Sequence, residues 1–183
     1  MSYQVHTSRG ISLVETLCVI AIVAILMTIA TPVYTAMLHR SQLATVADSL
    51  QMHMMLARSE AILRNGRLVI CKSASGQGCS PSGGWEQGWI VFHDRNGNGL
   101  VDPSDTLVSR MHALPPNVRV LGNKQVSAYV SYLPTGQTSL ISGAFQAGTL
   151  TICVASVGRT EARQLIIASS GRVRSQRAVL DLC

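Results

Sequence analysis

The C-terminal third of the chain contains a group of arginines that only two acidic residues, Glu161 and Asp181, oppose. The arginines are Arg159, Arg163, Arg172, Arg174 and Arg177. Arg172 and Arg174 follow Gly171 at a spacing that puts both side chains on one side of an extended segment. Because guanidinium groups bind phosphate well, this pair could contact successive phosphates of a nucleic acid without reading the bases. A solvated basic loop, or arginines that contact an acidic protein partner, would explain the same sequence.

A second set of polar residues has the spacing of a calcium-binding loop. Its members are Asp94, Asn96, Asn98, Asp102 and Asp105, with Gly99 at the sixth position. The last position is Asp, where calcium loops usually have Glu, and the flanking segments look like strands rather than the helices of an EF-hand. Since Asn-Gly is also typical of hairpin turns, a turn without metal is the preferred interpretation. The sequence therefore predicts no cofactor, with Ca²⁺ at this loop as the alternative.

The cysteines indicate disulfides. Cys18 lies in an apolar segment, which leaves an even number of cysteines elsewhere, as expected for disulfides in an oxidising compartment. Their spacing suggests the pairs Cys71–Cys79 and Cys153–Cys183. A zinc site is the alternative, but a single C-x7-C pattern without a C-x2-C partner gives it weak support.

The sequence has no pattern of catalytic residues. It contains neither H-E-x-x-H nor G-x-S-x-G. His93 beside Asp94 could bind a metal or transfer a proton, but an ordinary surface histidine at the end of a strand is the preferred interpretation. We therefore expect that the protein is not an enzyme.

An apolar segment precedes all of these residues. Residues 17–30 carry no charge, and with their flanks they exceed the roughly 20 residues that cross a bilayer as a helix. Apolar residues then recur every three or four positions from Leu43 to Ala61, which predicts that the helix continues with one apolar face. Asn65-Gly66 is a plausible C-cap. We predict one helix over residues 11–64, with a transmembrane part at 11–35 and an amphipathic part at 36–65.

The remaining residues, 66–183, have the pattern of a β-rich globular domain. Short runs that alternate apolar and polar residues are separated by turns containing Gly, Pro and Asn. The runs are 67–72, 88–93, 106–112, 118–121, 127–133, 149–155 and 163–168. The predicted fold class is α+β: a long N-terminal helix packed on antiparallel β-sheet.

The first ten residues are polar and end in Arg-Gly directly before the apolar segment, whereas a secretory signal is cut after its apolar core. Residues 9–34 resemble the prepilin signal of type IV pilins and type II secretion pseudopilins. The resemblance implies a leader of residues 1–10, cleavage between Gly10 and Ile11, N-methylation of Ile11, and a role for Glu15 in assembly. The family usually has Phe where this chain has Ile11. A carboxylate in hydrocarbon costs about 2.5–3.5 kcal/mol, so Glu15 should have a partner, and cleavage creates one in the ammonium group of Ile11, in the same chain or in a neighbouring subunit. The resemblance implies the pair between subunits; a glutamate at the membrane interface without a role is the alternative.

Three further segments indicate a more specific group within this family. SEAILRNGRLVIC (59–71), GWEQGWIVFHDRNGNGLVDPSDTLV (84–108) and GRVR (171–174) resemble the GspH/FimT group of minor pilins and pseudopilins. That group implies a single-pass protein of the bacterial inner membrane with a periplasmic C-terminal domain. Its implied partners are other pilin subunits and the prepilin peptidase. In the FimT branch, GRxR is linked with DNA binding in natural transformation, which implies double-stranded DNA as a further partner, bound without sequence preference.

Three functions are compatible with this sequence. A FimT-like minor pilin that joins or primes a type IV pilus is favoured by the terminal arginines. A GspH-like minor pseudopilin of a type II secretion system is the alternative. A single-pass membrane protein that binds a ligand or calcium and has no filament role is the third, and the prepilin signal argues against it.

Overall fold

The computed structural model describes residues 12–156 and 158–183. Gly10 and Ile11 lie outside the described residues, so cleavage and N-methylation at this position stay predictions. The chain forms two compact units, one ending at His39 and the other comprising Arg40–Cys183. The domain limits drawn from the sequence, at residues 35 and 65, likewise stay predictions.

One α-helix, α1, runs over Leu13–Leu63. As far as His39 its described side chains are exposed, and this part is long and apolar enough to cross a membrane. From Leu43 to Ala61 the residues at three- and four-residue steps are buried, as their periodicity predicts. Asn65-Gly66 caps the helix, as predicted: Asn65 has a φ of 48°, and the Gly66 N–H donates to the Ala61 carbonyl oxygen at 3.2 Å.

Among the described residues eight strands follow, arranged in two antiparallel sheets of four strands each. They are β1 (Arg67–Lys72), β2 (Trp89–Asp94), β3 (Thr106–Met111), β4 (Val118–Gly122), β5 (Tyr129–Tyr132), β6 (Gly148–Val154), β7 (Thr160–Ile167) and β8 (Val173–Leu180). The first sheet has the order β3-β2-β1-β5, and the second has the order β4-β6-β7-β8. The predicted α+β class, with a long helix packed on antiparallel sheet, is confirmed.

The main core lies between the C-terminal half of α1 and both sheets. Leu50 and Met54 of α1 are fully buried there with Ile70 of β1 and Leu165 of β7. A smaller cluster covers the opposite face of the first sheet, where Val69, Cys71, Ile90 and Phe92 are buried. Strand β1 is therefore covered on both faces, which is why its sequence is an almost continuous apolar run.

Strand β8 is the one strand that the sequence pattern did not predict. Its residues, VRSQRAVL, are mostly exposed or half-buried because β8 forms the edge of the second sheet and pairs only with β7. An edge strand that buries little apolar surface leaves little hydrophobic periodicity in its sequence. This strand carries Arg174 and Arg177.

Candidate nucleic-acid interface

The arginine-bearing strand β8 is reached through a tight turn that the core holds in place. Gly171 in this turn has a φ of 79°, and its N–H donates to the Ala168 carbonyl oxygen at 2.8 Å. A Cβ atom at residue 171 would overlap the carbonyl oxygen of Gly136. The Arg58 guanidinium, on α1, donates to that same oxygen at 2.9 Å. Glycine is thus required at 171, and the turn presents Arg172 in a fixed position.

Arg174 lies on the face of the second sheet that points away from α1, which we call the outer face. Its register partner on β7 is Ile166, between Leu165 and Ile167, which are both buried in the main core. Because side chains alternate along a strand, Ile166 and Arg174 point to the opposite side. Arg172 and Arg174 are both exposed, and neither has an ion-pair partner among the described residues. Both guanidinium groups are thus free to contact an external anion.

Polar, uncharged side chains continue the outer face beside Arg174. Gln176 of β8 pairs in register with Gln164 of β7, and Gln164 with Thr151 of β6. The Gln176 Nε2 donates to the Gln164 Oε1 at 3.0 Å. Amides and hydroxyls are common donors to phosphate oxygens in DNA complexes. The sequence analysis missed these residues. Gln176 could have been found from its position two residues after Arg174, but only strand register shows that Gln164 and Thr151 lie beside Gln176.

Arg163 and Arg177 lie on the other face of the sheet. They are register partners on β7 and β8, and by strand alternation they share the side of Leu165, toward α1. The structure therefore does not bring them together with Arg172 and Arg174. The reason is that Arg174 and Arg177 are an odd number of residues apart on one strand, so they point to opposite faces.

Beside Arg163 and Arg177, Glu161 forms a bidentate pair with Arg40. The Arg40 Nε donates to Glu161 Oε2 at 2.8 Å, and its Nη2 donates to Oε1 at 2.6 Å. These hydrogen bonds hold the pKa of the Glu161 carboxyl below its ordinary value. Burial opposes them, and the charges of Arg40 and Arg177 make the smallest contributions, both of which lower the pKa. Glu161 is consequently ionised at neutral pH.

Arg159 lies at the other end of the β7–β8 hairpin from Arg172. It precedes β7, and its Nε is 3.9 Å from Asp181 Oδ1. Eight residues of strand separate the two ends, a distance of roughly 25 Å. The predicted set of five arginines thus occupies three places, and the outer face holds two of them.

The predicted calcium loop follows β2 and is organised by Asp94. Asp94 is buried, and its two carboxylate oxygens accept hydrogen bonds from the backbone N–H groups of residues 97–99 at 2.8–3.2 Å. Asp102 Oδ2 accepts hydrogen bonds from the side-chain amides of Asn96 and Asn98 at 2.6 and 2.8 Å. These contacts close the loop on itself.

The last residue of that loop, Asp105, accepts hydrogen bonds from the backbone N–H groups of Arg95 and Asp102 at 3.0 and 2.9 Å. Within residues 12–156 and 158–183, no three or more His, Cys, Asp or Glu side chains are grouped so as to hold a metal ion. Calcium binding by Asp94, Asn96, Asn98, Asp102 and Asp105 stays a prediction of the sequence.

The segment before this loop, which contains Trp85 and Trp89, is part of the core. Trp85 and Trp89 are fully buried, and the Trp85 Nε1 donates to the Val126 carbonyl oxygen at 3.0 Å. The His53 ring of α1 packs edge-on against Trp89, with 5.8 Å between the ring centres. These residues therefore join the helix to the sheets, and they do not line a binding site.

Two disulfides are present, and they join the cysteines that the spacing paired. Cys71–Cys79 closes a loop next to β1, and Cys153–Cys183 attaches the end of the chain to β6. The second bond lies just beyond β8, so it limits how far this edge strand can separate from the sheet.

At the other end of the chain, Glu15 lies exposed in the first turn of α1, where the helix dipole favours a negative charge. Its proposed partner, the amino group of Ile11, lies outside the described residues. The assembly role of Glu15 stays a prediction.

Comparisons with known proteins agree with this architecture. Residues 46–171 match the family described as type II transport protein GspH, and residues 6–31 match the prokaryotic N-terminal methylation motif. The GspH match ends at Gly171, so strand β8 with its arginines lies beyond it. Proteins of this family are structural subunits and are not known as enzymes.

Individual relatives extend the comparison. The pilin-like protein PilA1 of Thermus thermophilus is 27% identical over 176 residues, which cover 92% of this chain and 98% of PilA1. Two crystal structures of the type IV minor pilin FimU of Pseudomonas aeruginosa have the same fold, with TM-scores of 0.54 and 0.52 at 17% identity. They cover 75% and 73% of this chain and 90% and 92% of the FimU chains. The family match over more than half of the chain, together with the shared fold, shows that the protein belongs to the GspH family of type IV minor pilins and type II secretion pseudopilins.

Proposed function

We propose that the protein is a FimT-like minor pilin that binds double-stranded DNA for uptake in natural transformation. The observation that carries this proposal is the pair of exposed arginines on the outer face, Arg172 and Arg174, which have no acidic partner among the described residues. The Gln164–Gln176 pair beside them adds uncharged donors. Such a surface suits the phosphate backbone and contains no recognition helix for a groove.

The rigidity of the hairpin supports the same proposal. Arg58 and Gly136 hold the turn at Gly171, and the Cys153–Cys183 disulfide holds the far end of the hairpin. Two arginines on a backbone that is already positioned lose less freedom on binding than two on a mobile tail. Because only a few phosphates would be contacted, we expect weak binding that is independent of base sequence.

Membrane insertion and filament assembly complete the proposed function. The apolar part of α1 would anchor the protein in the inner membrane with Arg40–Cys183 in the periplasm. The prepilin peptidase would cut after Gly10 and the new N-terminus, Ile11, would be methylated. In the filament, Glu15 would pair with the Ile11 ammonium group of a neighbouring pilin subunit and set the register of the incoming subunit.

The test of DNA binding compares two variants that lose the same charge. Arg172→Ala with Arg174→Ala removes the outer-face pair, and Arg163→Ala with Arg177→Ala removes two arginines from the opposite face. Affinity for duplexes of unrelated sequence is measured by gel shift over a range of salt concentrations. The outer-face variant should bind more weakly, and its slope of log affinity against log salt should fall by about 1.8, since each lost phosphate contact contributes about 0.9. Equal weakening in both variants, or none in the outer-face variant, would refute the proposed interface.

The alternative is a GspH-like minor pseudopilin of a type II secretion system. It is favoured by the family match itself, which covers residues 46–171 and ends before β8. Deletion of the gene discriminates between the two functions. Loss of transformation with normal protein secretion supports the pilin, and the reverse result supports the pseudopilin.

A further inference from the structure

The second unit, Arg40–Cys183, contains a groove with an unusual concentration of arginine, located where α1 enters this unit. It is lined by Arg40 and Leu43 of α1 and by residues of β7 and β8, among them Glu161, Arg163, Arg177 and Val179, and we call it the basic groove. We propose that the basic groove binds the phosphate of an anionic membrane phospholipid. This site is distinct from the outer face, because its arginines point to the opposite side of the sheet.

The charges of the basic groove are not balanced within the protein. Glu161 accepts two hydrogen bonds from Arg40 and also feels the charge of Arg177, so a single carboxylate faces three guanidinium groups in the groove. Arg163 and Arg177 lie directly opposite each other on β7 and β8, and neither has an ion pair within the described part of the chain. Like charges in directly opposed positions destabilise a sheet unless an anion lies between them. The groove therefore carries an excess of positive charge at one point.

The size and the walls of the groove suit an amphiphilic anion. Its volume is about 420 Å³, within the range of small-molecule sites. Leu43 and Val179 contribute apolar surface next to the guanidinium groups, and the Val179 side chain is 57% exposed. A lipid headgroup presents a phosphate together with an apolar glycerol and acyl region, which matches this combination.

The position of Arg40 in the sequence favours a membrane lipid over other phosphates. Arg40 directly follows the exposed apolar part of α1, only two residues after Leu38. At 1.5 Å per helical residue, chain connectivity alone keeps Arg40 within roughly one turn of the end of the apolar segment. Lipid phosphates lie at that level of a bilayer, and basic residues next to a membrane span are attracted to anionic lipids. The inference rests on the membrane anchoring in the proposed function but not on DNA binding.

The experiment uses the full-length protein solubilised from membranes in mild detergent. Phosphatidylglycerol and phosphatidylcholine are added in equal amounts, and native mass spectrometry gives the ratio of the two lipids bound. Arg163→Gln with Arg177→Gln tests the groove, and Arg172→Gln with Arg174→Gln is the control of equal charge. Since Arg163 is half-buried, the exposed single variant Arg177→Gln is measured as well, and circular dichroism confirms that each variant is folded.

We expect the wild type and the control to prefer phosphatidylglycerol. The preference should fall about fivefold for each groove arginine removed, which corresponds to ~1 kcal/mol per basic residue at an anionic surface. An unchanged preference in folded groove variants, equal loss in the control, or displacement of the lipid by millimolar inorganic phosphate would overturn the proposal. Binding of DNA or of an acidic pilin peptide at the groove in place of lipid would overturn it too. Absence of the protein from the membrane fraction would instead refute the anchoring.

Discussion

The two disulfides offer a direct test of how the C-terminal domain is held together. Replacing Cys153 and Cys183 by alanine opens a loop of 30 residues, whereas replacing Cys71 and Cys79 opens a loop of 8 residues. In each pair one cysteine is buried in the wild type, Cys71 at 1% exposure and Cys153 at 0%. Alanine avoids burying a hydroxyl group, so loop length is the main difference between the two variants.

The expected destabilisation follows from the entropy that each cross-link removes from the unfolded chain. For a loop of 30 residues this is about 3.6 kcal/mol, and for a loop of 8 residues it is about 2.5 kcal/mol. The variant without Cys153–Cys183 should therefore be less stable by about 1 kcal/mol than the variant without Cys71–Cys79. It should also bind DNA more weakly, since the end of β8 is then attached only through its pairing with β7.

Urea unfolding, monitored by tryptophan fluorescence, gives the stability of both variants relative to the wild type in a fragment beginning near residue 36. Trp85 and Trp89 are buried in the main core, so their emission reports loss of the fold. With an m-value near 2 kcal/mol/M, the two midpoints should differ by about 0.5 M. If the short-loop variant is the less stable one, or if neither bond affects the midpoint, the chain-entropy argument is wrong for this domain.

Three further predictions concern the loop, the acidic residue of the groove and the N-terminus. Asp94→Ala should destabilise the fragment by about 3 kcal/mol, because a buried carboxylate that accepts three backbone hydrogen bonds is lost, and Asp94→Asn should cost less. Calorimetry with millimolar Ca²⁺ tests the calcium prediction, which a lack of heat in the wild type would contradict. In an NMR titration, Glu161 should have a pKa below the ordinary value of a glutamate, and Arg40→Gln should raise that pKa. The pairing with Arg40 therefore stabilises the fold at pH values above the unfolded-state pKa, and this stabilisation is lost as the pH falls through the lower folded-state pKa. Mass spectrometry of the membrane-extracted protein should show a chain that begins at Ile11, and an intact Met1 in cells with a prepilin peptidase would contradict cleavage after Gly10.

Much of the fold could be predicted because its signals are local. The burial of α1 from Leu43 to Ala61 follows the period of an α-helix, and the positive φ of Asn65 is the ordinary end of such a helix. Strands β1 to β7 coincide with runs of apolar residues between turns. The cysteine spacing suggested the same two pairs that the structure contains.

The candidate interface was only partly predictable. The sequence drew attention to Arg172 and Arg174 through their spacing of two, and the structure places Arg172 just before β8 and Arg174 within it, both exposed. It separates them from Arg163 and Arg177 because the alternation of side chains on β8 sends Arg174 and Arg177 to different faces. The polar row of Gln164 and Gln176 depends on the pairing of β7 with β8, which no local pattern in β8 revealed.

The sequence by itself determined the family and every element except β8: an apolar helix with a prepilin signal, an amphipathic continuation, seven short strands and cysteines spaced for two bonds. These features depend on residue type and on periods of two or 3.6 residues, which are readable along the chain. Tertiary structure alone decided which arginines share a surface and which enclose the basic groove, and it alone showed that Asp94 binds the backbone of its own loop. Strand register sets those neighbours, and it depends on contacts between residues that are far apart in sequence.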